Sequence, residues 1–531
     1  MTNRRLLILS GFLLLTANLW SQDSASNGSL GRVSFPISCA PETQAEFERG
    51  VALMHSFQYP SAQPVFTGLT EKDPQCAMAW WGRAINLYHH LWSWPDGKEL
   101  HQGYDYIVRA HLAGRTTERE RMYIDAAAAL YIDSPKLDRK QRLKNYSEKM
   151  AELWKRNPQD IEAGSLYSLT LLSGPRDDEA GSRKEAIAIL QDLFARAPDH
   201  PGVDHYLIHA TDKPEFAAQG LKAAERYATT APASSHALHM PSHIFAQLGM
   251  WQQMIDSNLA AAASAADAAR KDKNNGAEYQ LHPMHYLSYA YLQTGRDDEA
   301  QKLADSLKDV PAIQPDEITD EGIAMRALTV METHRWAMAA QLDEKAPTVA
   351  FVRMRVHWAR AIAAAHLGDR KTAQQNVKQL HRDYAALRKA RGILRESNPM
   401  VTEAEAWLEF ARGKTEKAVS KMREAADQDE FGVDEFSLPA REQLGDLLLE
   451  LKRPADALEA YETMLKTAPG RFDSLWGAGR AAELAEKPEI AARYYAQLLK
   501  TAAPSSDRVE RQQAIAFLDN MRRTGNGLTR D

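Results

Sequence analysis

Apolar residues recur every three or four positions along most of this chain, which is the spacing of one face of an α-helix. The pattern is clearest near the C-terminus, where five pairs of equivalent residues lie 34 positions apart: Gly445/Gly479, Pro454/Pro488, Ala457/Ala491, Tyr461/Tyr495 and Leu465/Leu499. No alternating strand-like run and no glycine-rich phosphate loop interrupts the pattern. It therefore predicts an all-α solenoid of stacked helical hairpins, without a nucleotide cofactor.

Histidines follow the same period in the middle of the chain. Two of them recur 34 positions later, giving the pairs His205/His239 and His209/His243. The next repeat is longer, because Gly249 and Gly295, which mark the turns between helices, lie 46 positions apart, and the same step leads from His239 to His285. Three successive first helices are therefore predicted to carry histidine at one structural position.

The chain is predicted to divide into six segments. Arg4 and Arg5 precede an apolar core from Leu6 to Trp20, as in a secretory signal peptide, and no lipobox follows. We therefore expect an exported, soluble protein that is periplasmic or secreted. The segments are a signal peptide (1–25), an extended stretch (26–42), a solenoid with a histidine-rich groove (43–308), a connector (309–322), C-terminal repeats (323–504), and a terminal helix and tail (505–531).

Charge and cysteine content narrow the expected partners and compartment. The net charge of −6 and the pI near 6.3 do not favour binding to nucleic acid or to an anionic membrane. Beyond the signal peptide, nothing in the mature chain resembles a membrane span. In an exported protein the two cysteines, Cys39 and Cys76, are expected to form a disulfide that ties the extended stretch to the second repeat. The alternative is two small buried thiols.

From Thr43 to Pro504 the helix ladder, the glycine between helices and the proline after the second helix resemble the tetratricopeptide repeat family, most closely at the C-terminus. The stretches FERGVALMHSF, DPQCAMAWWG, HPGVDHYLIHA and HALHMPSHIFAQLG are similar to an exported bacterial subgroup of that family. The resemblance implies a right-handed superhelix with a concave groove, and no particular activity. On the family's pattern, the groove-lining positions are occupied by seven histidines and one aspartate: His205, His209, His236, His239, His243, His282, His285 and Asp212.

Histidines at these positions predict a metal site. Residues four apart on a helix face the same way, and packed helices lie about 8–10 Å apart, so imidazoles from neighbouring helices can converge on one ion. Zinc or copper suits imidazole best, and iron is possible. The predicted ligands are His205, His209, His239, His243 and His285, with His236, His282 and Asp212 lining the groove. The alternatives are hydrogen bonding between helices, a polar groove for a peptide or small ligand, and plain packing.

Pro241 complicates this prediction because a proline inside a helix removes a backbone hydrogen bond. Either the helix begins at Pro241 and leaves His239 just before it, or the helix is locally distorted. In both cases the His239/His243 pair is expected to be less regular than His205/His209.

Whether the protein is an enzyme stays open at this stage. The candidate catalytic carboxylates are Asp204, Asp212 and Glu215, which could act as a base or orient an imidazole. Their alternative roles are helix caps and solvated side chains, and the chain lacks an HExxH motif. The rival to a metal site is a metal-free scaffold whose groove receives a protein or peptide partner.

Overall fold

The computed structural model describes residues 30–91, 95–132, 136–174, 178–271, 280–310, 315–343, 345, 347–391, 398–428 and 438–524. The predicted signal peptide and the last residues of the predicted tail lie outside these ranges. Within them the chain is helical and contains no β-strand, which confirms the all-α prediction. None of the described helices is both long enough and apolar enough to cross a membrane.

The described residues form 25 α-helices. The first half consists of α1 Gln44–His55, α2 Tyr59–Lys72, α3 Ala77–Ile85, α4 Gly97–Leu112, α5 Glu118–Tyr131, α6 Arg139–Arg156, α7 Ile161–Ser173, α8 Glu179–Arg196, α9 Pro201–Thr211, α10 Ala217–Thr230, α11 Ser235–His239, α12 Pro241–Gln247 and α13 Trp251–Lys271. The second half consists of α14 Leu281–Gln293, α15 Asp297–Ser306, α16 Pro315–Glu332, α17 Ala350–His366, α18 Arg370–Arg391, α19 Pro399–Ala411, α20 Thr415–Gln428, α21 Ala440–Glu450, α22 Pro454–Thr467, α23 Phe472–Leu484, α24 Pro488–Thr501 and α25 Val509–Thr524.

Successive helices pack as antiparallel hairpins, and each hairpin packs on the next. Many of the tight turns place one residue in the left-handed region, where glycine is favoured. Gly249 and Gly295, the turn markers used above, have φ of 69° and 66°. The architecture is therefore a tetratricopeptide-like solenoid of helical hairpins.

Part of the predicted connector at 309–322 is helical. Helix α16 begins inside it, at Pro315, and continues to Glu332. Proline is favoured in the first turn of a helix, and Asp316 and Glu317 in that turn interact well with the positive end of the helix dipole. The acidic, proline-containing sequence that suggests a turn is here a helix start.

The N-terminal stretch is held against the first hairpins by the predicted disulfide. Cys39 and Cys76 are bonded, with their Cα atoms 4.9 Å apart. Four residues before the bridge, the Phe35 ring is fully buried between Phe47 and Tyr123. The disulfide and this aromatic contact dock an extended segment that has no hairpin of its own.

A buried arginine joins the C-terminal repeats to the middle of the chain. Arg471 is fully buried and donates to Glu442 Oε2 at 2.9 Å, to Glu332 Oε1 at 2.9 Å and to Tyr289 OH at 2.5 Å. Nearby, Trp251 Nε1 donates to the backbone carbonyl of Gly470 at 2.7 Å. Helices far apart in sequence are therefore locked together by charge-assisted hydrogen bonds.

A stack of aromatic and imidazole rings lies in the C-terminal half. His366 packs between Trp336, at 4.3 Å between ring centroids, and Trp407, at 4.1 Å. Burial, with a smaller contribution from His334, lowers the pKa of His366 to about 3. The imidazole therefore behaves as a neutral member of the stack near neutral pH.

We expect Arg471→Met to lower the free energy of unfolding by about 3–5 kcal/mol, because it leaves two buried carboxylates without their cation. Denaturant unfolding measures this loss. The matched control is Arg493→Met, which removes an exposed ion pair with Glu462 at 3.8 Å and should cost less than about 1 kcal/mol. Equal effects of the two substitutions would contradict a structural role for the junction.

We also expect the free energy of unfolding to fall as the pH drops below about 6.5, the ordinary histidine pKa. In that range the unfolded chain binds a proton at His366 that the folded chain does not, so the loss continues down to about pH 3. The slope from one such group is at most about 1.4 kcal/mol per pH unit. His366→Phe should make the measured slope shallower, and an unchanged slope would contradict this assignment.

Candidate metal centre

Three neighbouring elements of the solenoid bring six histidines together. Helix α9, the broken helix α11–α12 and helix α14 each place histidines on the same side of the stack. The first histidine group is His205, His209 and His236, and the second histidine group is His239, His243 and His282. In each group, one ligand nitrogen from every member lies within 4.8 Å of the others.

The first group is centred on His205, which is fully buried. Its Nε2 lies 3.1 Å from His209 Nε2 and 3.0 Å from His236 Nε2. Its Nδ1 lies 2.6 Å from the backbone carbonyl oxygen of His55, the last residue of α1. A carbonyl at a helix C-terminus has no partner in its own helix and can only accept, so Nδ1 of His205 carries the proton. Nε2 of His205 therefore presents a lone pair to the other two imidazoles.

The second group has the same arrangement with side-chain acceptors. His239 Nδ1 lies 2.7 Å from Asn258 Oδ1, and the Asn258 amide is oriented by donating to the carbonyl of Met254 at 2.7 Å. His243 Nδ1 lies 2.8 Å from Asp212 Oδ2. Both Nδ1 atoms therefore donate, and in the neutral rings the two Nε2 lone pairs face each other at 3.1 Å.

Burial lowers the pKa of His205 and His239 and so favours their neutral forms. Burial, His282 and His243 hold the pKa of His239 well below its usual range. For His205 the causes are burial, His209 and His236. Two facing nitrogens that both carry lone pairs can be bridged by a metal ion, which accepts both.

Pro241 breaks the helix without separating its histidines. Helix α11 ends at His239 and α12 begins at Pro241. This is the first of the two predicted alternatives, in which a helix begins at Pro241. The break is confined to Met240, whose carbonyl accepts from the backbone N–H of His243 at 3.2 Å. His239 and His243 therefore remain on one face, and their Nε2 separation equals that of His205 and His209.

The two groups are copies of one pattern. Each consists of two histidines four apart in sequence, on α9 or on the broken helix α11–α12, and a third from the start of the next first helix. Equivalent members of the two groups are related by the repeat spacing. His205 and His209 are each 34 positions before their counterparts in the second group, and His236 is 46 positions before His282. In the third unit the partner of His285 would be residue 289, which is Tyr289, so the pattern ends there.

This arrangement changes the predicted ligand set. His285 belongs to neither group, and its Nδ1 contacts Glu321. His236 and His282, which the sequence placed only along the groove, are members instead. The sequence contains a signal for this membership, since His236 and His282 are 46 positions apart, as are the turn glycines Gly249 and Gly295. It was missed because one shared ion was assumed.

The three candidate carboxylates have different surroundings. Asp212 lies at the end of α9, accepts from His243 as above, and accepts from Gln247 Nε2 at 3.0 Å. Burial alone would raise the pKa of Asp212, but His243 and these hydrogen bonds hold it below its usual value. Asp204 is fully buried against Arg226, away from both groups, and Glu215 is exposed and also outside them. Only Asp212 therefore touches a histidine of the site.

A third buried cluster, which sequence analysis did not find, supports the first group. Glu162 accepts from His55 Nε2 and from His200 Nε2, each at 2.7 Å, and all three side chains are buried. His55 Nδ1 is 2.9 Å from Tyr206 OH, and His200 Nδ1 accepts from a backbone N–H of α9. Every ring nitrogen of this cluster already has a hydrogen bond, so it ties α1, α7 and α9 together and fixes the carbonyl that holds His205.

Aromatic rings cover both groups. Phe57, at the turn after α1, has φ of 54°, and its ring centroid lies 4.2 Å from that of His205. A bulky residue in the left-handed region is strained, and such strain is often kept where a side chain is needed. In the second group, the Tyr286 ring lies 4.7 Å from that of His239. An aromatic ring therefore packs against each group.

At least one histidine of each group reaches the surface. His282 is exposed, and His209 and His236 are partly exposed, whereas His205, His239 and His243 are buried. Each group therefore combines at least one buried imidazole with at least one that is exposed or partly exposed.

No family model and no curated protein sequence matches this chain. Among solved structures, it is similar to a tetratricopeptide repeat protein from Parabacteroides merdae ATCC 43184, with 14% identity, a TM-score of 0.31, and coverage of 54% of this chain and 97% of that one. It is also similar to a human IFIT1 dimer with PPP-AAAA, with 13% identity, a TM-score of 0.34, and coverage of 85% and 88%. A third is the Cut9–Hcn1 hetero-tetramer, with 10% identity, a TM-score of 0.30, and coverage of 90% and 89%. The site is therefore interpreted from this chain's own residues.

Proposed function

We propose that this protein is an exported metal-binding solenoid in which each histidine group binds one zinc or copper ion. The observation that carries the proposal is the contact between His239 and His243. Their Nδ1 protons are committed to Asn258 and Asp212, so their Nε2 lone pairs face each other at 3.1 Å. A cation between the rings turns a repulsive contact into two coordinate bonds.

The distances support metal binding. Zinc–imidazole bonds are about 2.0–2.1 Å, and two such nitrogens on a tetrahedral ion are about 3.3 Å apart. The Nε2 separations of 3.0–3.1 Å between His205 and its two partners, and between His239 and His243, are close to that value. The remaining ligand nitrogens of each group lie within 4.8 Å of one another. Small shifts of the side chains would complete the geometry.

The donor set supports zinc or copper, with iron as a further possibility. Both groups are built from imidazole alone, without thiolate or carboxylate ligands. Imidazole suits zinc, copper and iron, whereas magnesium and calcium prefer oxygen. Three protein ligands leave a fourth position for water or a ligand from the groove.

Two features support export. The first is the signal-like segment at residues 1–25, and the second is the bond between Cys39 and Cys76. Disulfides persist in oxidising compartments and are rare in the cytosol. An exported protein would meet its metal, and any partner, outside the cytoplasm.

The second candidate function is a metal-free scaffold that binds a protein or peptide. Solenoids of helical hairpins offer extended concave surfaces, and the exposed His282 with the partly exposed His209 and His236 gives this surface hydrogen-bonding groups. In this case the imidazoles would contact the partner directly.

The deciding experiment is elemental analysis of the tag-free protein and its His205→Ala/His209→Ala variant. We expect bound zinc or copper in the wild type and loss of the first group's ion in the variant. The matched control is His357→Ala, since buried His357 pairs with Asn376 at 3.0 Å as His239 does with Asn258, but lies outside both groups. Absence of metal from every sample after reconstitution would refute the proposal and favour the scaffold.

Asn258→Leu should weaken metal binding about 10–100-fold, because His239 loses the acceptor that fixes its tautomer and ring orientation. Competition with a chelator of known affinity measures the change. Asn376→Leu removes the equivalent acceptor beside His357 and should leave metal affinity unchanged. If the two variants bind metal equally well, Asn258 does not orient a ligand.

A further inference from the structure

We propose that the two histidine groups form a single dinuclear centre, in which the two ions share one small anionic oxygen ligand such as hydroxide. The inference rests on the proposed function, because it requires that both groups bind metal. The dinuclear centre adds to the proposed function a ligand of its own, a bridging anion that enters from the groove.

The first argument is that one helix serves both groups. His236 and His239 lie three residues apart on α11, yet His236 belongs to the first group and His239 to the second. Their ring centroids are 6.1 Å apart. Residues three apart share one face of a helix, so two ions bound by these imidazoles would be neighbours along that face.

The second argument is contact between the groups across helices. The ring centroids of His209 and His243 are 6.0 Å apart. An ion lies about 3 Å from the centroid of an imidazole that binds it, given a bond of about 2.0 Å. Ring pairs this close allow the ions to approach the separation of about 3.5–4 Å that is found in two-metal sites.

The third argument is a carboxylate that connects the two groups. Asp212 follows directly on α9, the helix of His205 and His209, but its Oδ2 accepts from His243 in the second group. Gln247 holds the other carboxylate oxygen. The position of His243 is therefore fixed relative to the helix that carries the first group.

The fourth argument is charge and access. In the two groups the six ligands are imidazoles, so two divalent ions would keep four positive charges, and Asp212 is the carboxylate in direct contact. The surface-facing members, His209, His236 and His282, come from both groups. An anion entering between them can reach both ions and reduce their mutual repulsion.

The test is to load the metal-free protein aerobically with Cu(II), count copper per chain, and integrate the EPR signal. Two bridged Cu(II) ions couple, so we expect two copper ions per chain with far less than two spins. His282→Ala should bind one ion with the full signal of one isolated spin. The matched control is His285→Ala, which removes a neighbour on the same helix and should keep two coupled ions.

Two copper ions with two full spins would overturn the dinuclear centre and leave the proposed function intact. One copper ion per wild-type chain would also overturn the dinuclear centre. No copper in any sample would refute the proposed function, and this inference with it. If His282→Ala does not fold, as judged by circular dichroism, His236→Ala removes a ligand of the first group instead and should likewise leave one uncoupled ion.

Discussion

The site depends on hydrogen bonds from the Nδ1 atoms of buried imidazoles to backbone and side-chain oxygens. A backbone carbonyl fixes His205, and Asn258 and Asp212 fix His239 and His243. In a neutral imidazole whose proton is held on one nitrogen, the other nitrogen presents a lone pair. Three such lone pairs, aimed at neighbouring imidazoles about 3 Å away, make a set of donors that is ready for a cation. Without these acceptors the rings could donate to one another and form an ordinary hydrogen-bonded network.

The acceptors in turn depend on buried polar contacts that span the solenoid. The carbonyl that holds His205 belongs to His55, which is itself fixed by Glu162. This charge is buried, and its cost is offset because two imidazoles donate to it. Arg471 plays a comparable part where the C-terminal repeats meet the middle of the chain. A site on packed helices is in this way held more rigidly than one on loops.

Repetition explains why there are two groups rather than one. The histidine positions recur from one hairpin to the next. The histidine in the first turn of one unit, such as His236, therefore lies beside the histidine pair of the preceding unit. Two groups result from three units, and the series ends at Tyr289. At the turn after α1, Phe57 occupies the left-handed position that glycine occupies at the turns of Gly249 and Gly295. Its ring packs against the first histidine group. Repeated units thus supply the ligands, and single departures from the repeat define the limits of the centre.

The sequence alone determined the all-α class, the 34-residue hairpin period and the helical pair His205/His209. These depend on local spacing, because residues four apart share a helix face wherever the helix lies. The sequence also predicted the pairing of Cys39 with Cys76, with two buried thiols as the alternative. Only the tertiary structure decided that His236 and His282 complete the groups, that His285 does not, and that Asp204 pairs with Arg226 whereas Asp212 reaches His243. Those outcomes depend on distances between helices, which are set by the packing of side chains far apart in sequence.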